Sequence, residues 1–454
     1  MMKIWAEQAL TARGWARDVL VTVGANGCIE DVQPDAPKTG AQIVGILLPA
    51  PANAHSHAFQ RAMSGLTEAR GPDPRDSFWT WRKLMFRFLD RLTPAHVEAI
   101  AAQVQMEMLE AGYAANVEFH YLHHQPDGTP YANLAEMSER VIAAAARTGI
   151  GLTLLPVHYQ FGGLDRRPLS AGQIRFGNDP DQFARLYEAA AGALRVLPSD
   201  CRMGVAPHSL RAVTPDSLAQ TVALSDGPVH MHLAEQQAEV DEVRAALGKR
   251  PVEWVLENLN LHSGFTFIHC TQMLPHETET LARSGAVAGL CPITESSLGD
   301  GIFDAVRWLG AGGTIAIGSD SNIRIALAEE LRTLEYSQRL RDRSRAVLAT
   351  RSKTTGHRLF AEITKGGALA AGRPGGGLKP GLLADLMALD STHIDLMNRQ
   401  GDKILDSYIF AGDDRMVQDV WSAGRHMVQH GQHVKHQEIT NAYRDAMRDL
   451  GQCL

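Results

Sequence analysis

Two histidines, His55 and His57, bracket a serine in PANAHSHAFQRAMSG (51–65), directly after the apolar run IVGILLP. Side chains two apart on a strand share a face, so both imidazoles point the same way at a strand end. Alone the pair is weak evidence, because histidines are often satisfied by core hydrogen bonds or solvent. Similar polar clusters close three later apolar runs: His230-Met231-His232-Leu233-Ala234-Glu235, His269-Cys270 and Ser319-Asp320-Ser321. Imidazole and carboxylate are the ligands a borderline divalent ion such as zinc accepts. His55, His57, His232 and Asp320 are therefore the predicted metal ligands. His232 is preferred over His230 because it lies nearer the strand's carboxyl end, which leaves His230 as a packed core histidine.

The chemistry follows from the charges. A divalent ion lowers the pKa of water from about 15.7 to about 7. Asp320 can hold the ion with one oxygen and orient or deprotonate the attacking water with the other. His269 can assist as base, and Glu235, three residues after His232, can carry a proton to a leaving nitrogen. Together these parts specify hydrolysis at an sp² carbon bearing nitrogen. No lysine occurs between Lys83 and Lys249, so a carboxylated lysine bridging two metals is unavailable on the second to fifth strands. One metal is expected, with Glu118 as the bridging carboxylate of the alternative.

Elements must carry these residues to one place. Eight apolar runs recur at 43–49, 115–122, 150–159, 202–209, 228–235, 265–272, 286–293 and 314–321, with helical compositions such as EAIAAQVQMEMLEAG between them. Continuous rather than alternating apolar runs read as strands buried on both faces of a parallel sheet. Eight strand–helix units close into a (β/α)8 TIM-like barrel, whose active sites lie at the carboxyl ends of the strands. An open doubly wound sheet is the alternative. The ends of the chain read as β structure: DVLVTVGANGCIEDV near the start, GGGLKPGLLADLMALD and MVQDVWSAGRHMV near the finish. Residues 1–47 and 375–454 are expected to form a small flanking β-sandwich beside a catalytic barrel at 48–374.

Composition excludes other classes. The net charge of −7 over 454 residues argues against nucleic acid as the main partner. No apolar run approaches the ~18 residues of a membrane span, and MMKIWAEQALTARGW lacks a signal-peptide core. Five scattered cysteines without a CxxC pair are neither a disulfide framework nor a thiolate zinc site, which suggests the cytoplasm. Cys270 and Cys291 read as small hydrophobes.

HxH on the first strand, histidines on the fifth and sixth and aspartate on the eighth resemble the amidohydrolase superfamily. HLAE and GSDS resemble its mononuclear deaminase branch. HSHAFQRAMSG, SFWTWR, EFHYLHH, APHSLRAV, HLAEQ and LCPITESSLGDG are together similar to the formimidoylglutamate deiminase family, and the resemblance spans nearly the whole chain. It implies a metal-bearing barrel, often with a flanking β-sandwich, and a homodimer. It implies hydrolysis of N-formimino-L-glutamate to N-formyl-L-glutamate and ammonia in histidine degradation. It maps metal binding onto His55, His57, His232 and Asp320, and proton handling onto Glu235, His269 and Asp320. Substrate contacts map onto Gln60, Arg82, Tyr121, His208 and Arg211. Zinc is the expected ion, with iron or manganese compatible with the same ligands.

Such a substrate has two carboxylates and a largely cationic amidine. Arg82 and Arg211 suit carboxylates through paired hydrogen bonds, and Glu235 offsets repulsion between the amidinium and the metal. Trp79 and Trp81 are expected to pack the loop presenting Arg82. Of the histidines crowding the second strand end (His120, His123, His124), at most one is expected at substrate, with Tyr121 the better candidate. Glu295 and Asp300 are expected only to shape the mouth. A nucleobase deaminase, a deaminase of another amidine, and a non-catalytic metal-binding barrel are the alternatives.

Overall fold

The apolar runs pair into a ring of parallel strands. The computed structural model describes residues 1–68 and 85–451. β1 (Ala52–Ser56), β2 (Ala115–His120) and β3 (Gly151–His158) pair in parallel, and β3 continues to a fourth strand. That strand, β4, is interrupted as Arg202–Met203 and Ala206–Pro207, and both pieces pair with β3. β5 (Val229–Leu233), β6 (Phe265–His269), β7 (Val287–Leu290) and β8 (Thr314–Ile317) form the other arc. Bridges between Val205 and Val229 and between Ser56 and Asp320 join the arcs into the expected barrel. Every residue of β1, β2, β3, β5, β6 and β7 is buried, as strands covered on both faces must be.

The break in β4 has a steric cause. A Cβ on Gly204 would fall 2.3 Å from the Pro228 carbonyl oxygen and 2.6 Å from Leu155 Cδ2, so the chain passes there only as glycine. Helices between strands start on a shared signal, a capping side chain followed by proline. Thr93–Pro94, Asp179–Pro180 and Thr214–Pro215 open Pro94–Glu110, Pro180–Leu194 and Pro215–Ala223. Each cap accepts a backbone N–H that the first turn leaves unpaired.

The apolar run at 43–49 is not the first barrel strand. Gln42–Pro49 pairs parallel with Met2–Thr11 and antiparallel with Leu386–Leu389, inside a separate sheet. The chain changes sheets at Ala50-Pro51: the Ala50 N–H still donates to Asp385 O (2.9 Å), while Pro51 O already accepts from Ala114 N (3.0 Å). The barrel strand is therefore Ala52–Ser56. That strand, ANAHS, is short and largely polar, so the apolar signal before the His55–His57 pair belongs to the neighbouring sheet.

Both chain ends build that second sheet. Its eight strands run in the order 432–433, 425–429, 417–422, 386–389, 42–49, 2–11, 14–23 and 29–33. It gathers its own apolar cluster, including Ile4, Val19, Val21, Val44, Leu47, Leu386 and Trp421. The tail is not β throughout: 436–451 is an amphipathic helix that buries Ile439, Ala446 and Leu450. Between barrel and sheet lies a buried ionic knot. Arg373 donates to Asp200 (2.8 Å) and to both oxygens of Asp385 (3.0 Å), and Arg425 donates to Asp200 at 2.7 and 2.8 Å.

Candidate active site

The seam between the first and last strands sets the site. His57 N–H donates to Asp320 O and Asp320 N–H donates to His55 O, both at 2.9 Å. This exchange brings Asp320 against the HxH pair. Asn53 and Asn322 staple the seam: Asn53 Nδ2 donates to Ser319 Oγ (2.6 Å), and Asn322 Nδ2 donates to Ser56 Oγ (3.1 Å) and His57 O (3.2 Å). Ala234, His269, Cys270, Asp320 and Asn322 all have φ between 49° and 71°. Left-handed backbone at non-glycine residues persists only where neighbours impose it, and here it turns side chains at three strand ends into one cavity.

The predicted ligands converge. His55 Nε2 lies 3.2 Å from both His57 Nε2 and His232 Nε2, while Asp320 Oδ1 lies 3.5 Å from His55 Nε2 and 3.3 Å from His57 Nε2. His57 Nδ1–H donates to Phe119 O (3.0 Å) and His232 Nδ1–H donates to His208 O (3.2 Å). With those protons at Nδ1, the Nε2 lone pairs of His57 and His232 face His55 and a carboxylate. Ligands about 2.0–2.1 Å from a tetrahedral zinc stand about 3.3 Å apart, so the observed spacing and donor set fit such an ion. Burial lowers the pKa of all three histidines, His55 to about 3 despite Asp320, so the rings are neutral as ligands must be. Burial pushes Asp320 upward, but His55, His269 and His57 outweigh it and hold the carboxylate below its ordinary range.

Proton-handling groups stand beside this cluster. His269 Nε2 lies 3.9 Å from both Asp320 Oδ2 and Glu235 Oε1, and its Nδ1 faces Glu295 Oε1 at 3.3 Å. Burial disfavours protonated His269, yet Glu235, Glu295 and Asp320 override it and raise its pKa well above the ordinary value. Glu235 is raised, chiefly by burial, against the opposing pull of His269 and Arg211. Arg211 Nη2 is 4.0 Å from Glu235 Oε2.

His57, His232, Arg211, Glu235, His269 and Asp320 line one cleft together with Gln60, Tyr121 and His208. Gln60 Nε2 donates to Tyr121 OH at 2.7 Å. Four of the five expected substrate contacts thus share a cavity with the ligand cluster; Arg82, with Trp79 and Trp81, lies outside the described residues. Met85, Tyr159, Phe176, Leu298 and Ser321 complete the lining and were not anticipated. Tyr159 ends a strand run as Tyr121 does, a signal that could have found it. Glu295 does more than shape the mouth, because it orients His269.

Other expectations resolve locally. His230 Nε2 donates to Ala370 O at 2.8 Å, a core role. Glu118 accepts from Ala58 N (2.7 Å) and Asn116 Nδ2 (3.1 Å), so one oxygen braces the turn after β1 and the other is held within β2. His120, His123 and His124 are buried outside the cleft lining. Among the described residues no helix is long and apolar enough to cross a membrane.

The amidohydrolase family model matches residues 46–427, and the chain belongs to that family, the hydrolase class whose barrel and His-His-His-Asp mouth have just been described. A model of the formimidoylglutamate deiminase HutF N-terminal domain matches residues 1–42. Formimidoylglutamate deiminase of Pseudomonas aeruginosa is 46% identical over 99% of this chain and 100% of its own, and within the family this chain belongs with the formimidoylglutamate deiminases. A 5-methylthioadenosine/S-adenosylhomocysteine deaminase of Haloquadratum walsbyi is 27% identical over 77% of this chain and 72% of its own. Among solved structures, an amidohydrolase from Brucella melitensis superposes with a TM-score of 0.95 at 46% identity, covering 99% of this chain and 100% of that one. A zinc-bound adenosine deaminase from Xanthomonas campestris shares the fold at 21% identity and TM-score 0.81, with 98% of each chain covered.

Proposed function

We propose that the chain hydrolyses N-formimino-L-glutamate to N-formyl-L-glutamate and ammonia at a single divalent metal, zinc by preference. The observation that carries this reading is one cleft in which a three-imidazole, one-carboxylate cluster faces a raised-pKa glutamate and a buried arginine. His55, His57, His232 and Asp320 would hold the ion. When bound, the ion supplies positive charge that makes water nucleophilic near neutral pH.

The chain's own groups do the rest. Asp320 accepts a proton from the attacking water through the oxygen facing His269, and the His269 imidazolium, oriented by Glu295, stabilises the negative charge that develops there. Oxygen bonds to the amidine carbon as its C=N electrons move to nitrogen. Glu235 delivers a proton to that nitrogen and the C–N bond breaks; as the formyl C=O forms, the hydroxyl proton returns to Glu235, and the proton taken by Asp320 leaves with the ammonia. Net, one water adds and one ammonia departs. Arg211 takes a substrate carboxylate through directed N–H groups. Gln60, Tyr121 and His208 supply further hydrogen-bonding groups along the cleft, and Arg82 is proposed as the second carboxylate contact.

The test is ammonia release from N-formimino-L-glutamate set against adenosine, cytosine and guanine. Turnover of the dicarboxylate amidine alone is expected; turnover of a nucleobase or nucleoside alone would sink the assignment.

A further inference from the structure

Glu239 is fully buried and has no part in the chemistry above. It is the third residue of the helix Gln237–Leu247, whose N-cap is Gln236. A glutamate there commonly turns back to the N-cap N–H. Glu239 reaches further out. Its Oε1 accepts the Ala234 N–H at 3.2 Å and its Oε2 accepts the Glu235 N–H at 3.1 Å. The same short segment is gripped from β6: Thr271 Oγ1 donates to Glu235 O at 2.7 Å, and the Gln272 N–H donates to Ala234 O at 2.9 Å. Ala234 sits at φ 51°, a backbone state alanine takes only under such constraint.

We propose that Glu239 is a positioning residue for the deamination: it fixes the peptide that carries Glu235. The claim rests on the role given above to Glu235. A carboxylate is needed because two consecutive N–H groups require two acceptor oxygens, and an amide would turn a donor toward one of them.

The experiment compares wild type, Glu239→Gln and Glu239→Asp, each loaded with metal, by steady-state ammonia release and by amide hydrogen exchange at Ala234 and Glu235. Loss of a buried hydrogen bond is expected to speed exchange at these amides about tenfold and to lower kcat by at least about tenfold in Glu239→Gln. KM should change less than kcat, because the displaced group is the proton donor. Metal content should equal that of wild type. Should Glu239→Gln fail to fold, Glu239→Asp, whose carboxylate falls about 1.5 Å short, gives the same readouts. A simple helix cap predicts a lower melting temperature with kcat and KM unchanged, and that result overturns the proposal, as does unchanged exchange at both amides. If wild type releases no ammonia from N-formimino-L-glutamate, the functional reading fails, while the exchange measurement still decides whether Glu239 holds the turn.

Discussion

At the scale of single residues, Glu235 and Arg211 divide the labour of the cleft. Glu235 is buried beside Arg211 and His269, and burial raises its pKa against their opposing pull. Glu235→Gln should keep full metal content and lose at least about a hundredfold in kcat, because the amide cannot transfer a proton; metal analysis beside steady-state rates checks both. Arg211→Met should raise KM by about 10- to 100-fold, the worth of charge-assisted hydrogen bonds, with smaller loss in kcat. A kcat/KM equal to wild type would remove Arg211 from the substrate site. The convergence of His55, His57, His232 and Asp320 was legible because imidazole and carboxylate recur at the ends of apolar runs. Glu295, Asn53 and Asn322 were not, because a side chain that bonds another side chain leaves no spacing signal in one sequence. Only the fold shows that Asn53 meets Ser319 across 266 positions.

The secondary-structure elements show a different limit. Parallel sense and barrel closure could be read from the continuous apolar runs, seven of which are barrel strands. The first barrel strand could not, since the apolar Gln42–Pro49 pairs in the other sheet and Ala52–Ser56, ANAHS, carries little apolar signal. Nor did β4 announce its interruption. Gly204 sits at the interruption, and a Cβ added there would fall 2.3 Å from a backbone oxygen and 2.6 Å from a packed leucine. Gly204→Ala should therefore destabilise the protein by about 1–3 kcal/mol, the usual cost of overpacking, read as a lower denaturation midpoint. An unchanged midpoint would mean that β4 can shift at no cost.

For the molecule as a whole, the Asp200–Arg373–Asp385–Arg425 knot ties the barrel to the sheet formed by both chain ends. Its charges are buried, so removing one partner strands the others. Arg373→Met should cost about 3–5 kcal/mol at pH 7, measured by urea unfolding. The pH dependence has a definite sign. Burial pushes Asp200 upward, but Arg425 and Arg373 win and lower its folded pKa. Its stabilising contribution is thus complete above the unfolded value of about 3.9 and is lost as pH falls through the lower folded value. The gap between wild type and Arg373→Met should narrow below about pH 4; a gap constant from pH 7 to pH 3 would show that Asp200 is not what the arginine serves.

The seam where β1 meets β8 also bears on how the protein is made. His55 and Asp320 touch only after 265 further residues have followed the first histidine out of the ribosome, and His232 emerges between them. A nascent chain halted before residue 320 has imidazoles to offer but no completed nest. Tight capture of the ion thus falls at the close of synthesis, and the finished ring decides when the enzyme becomes competent.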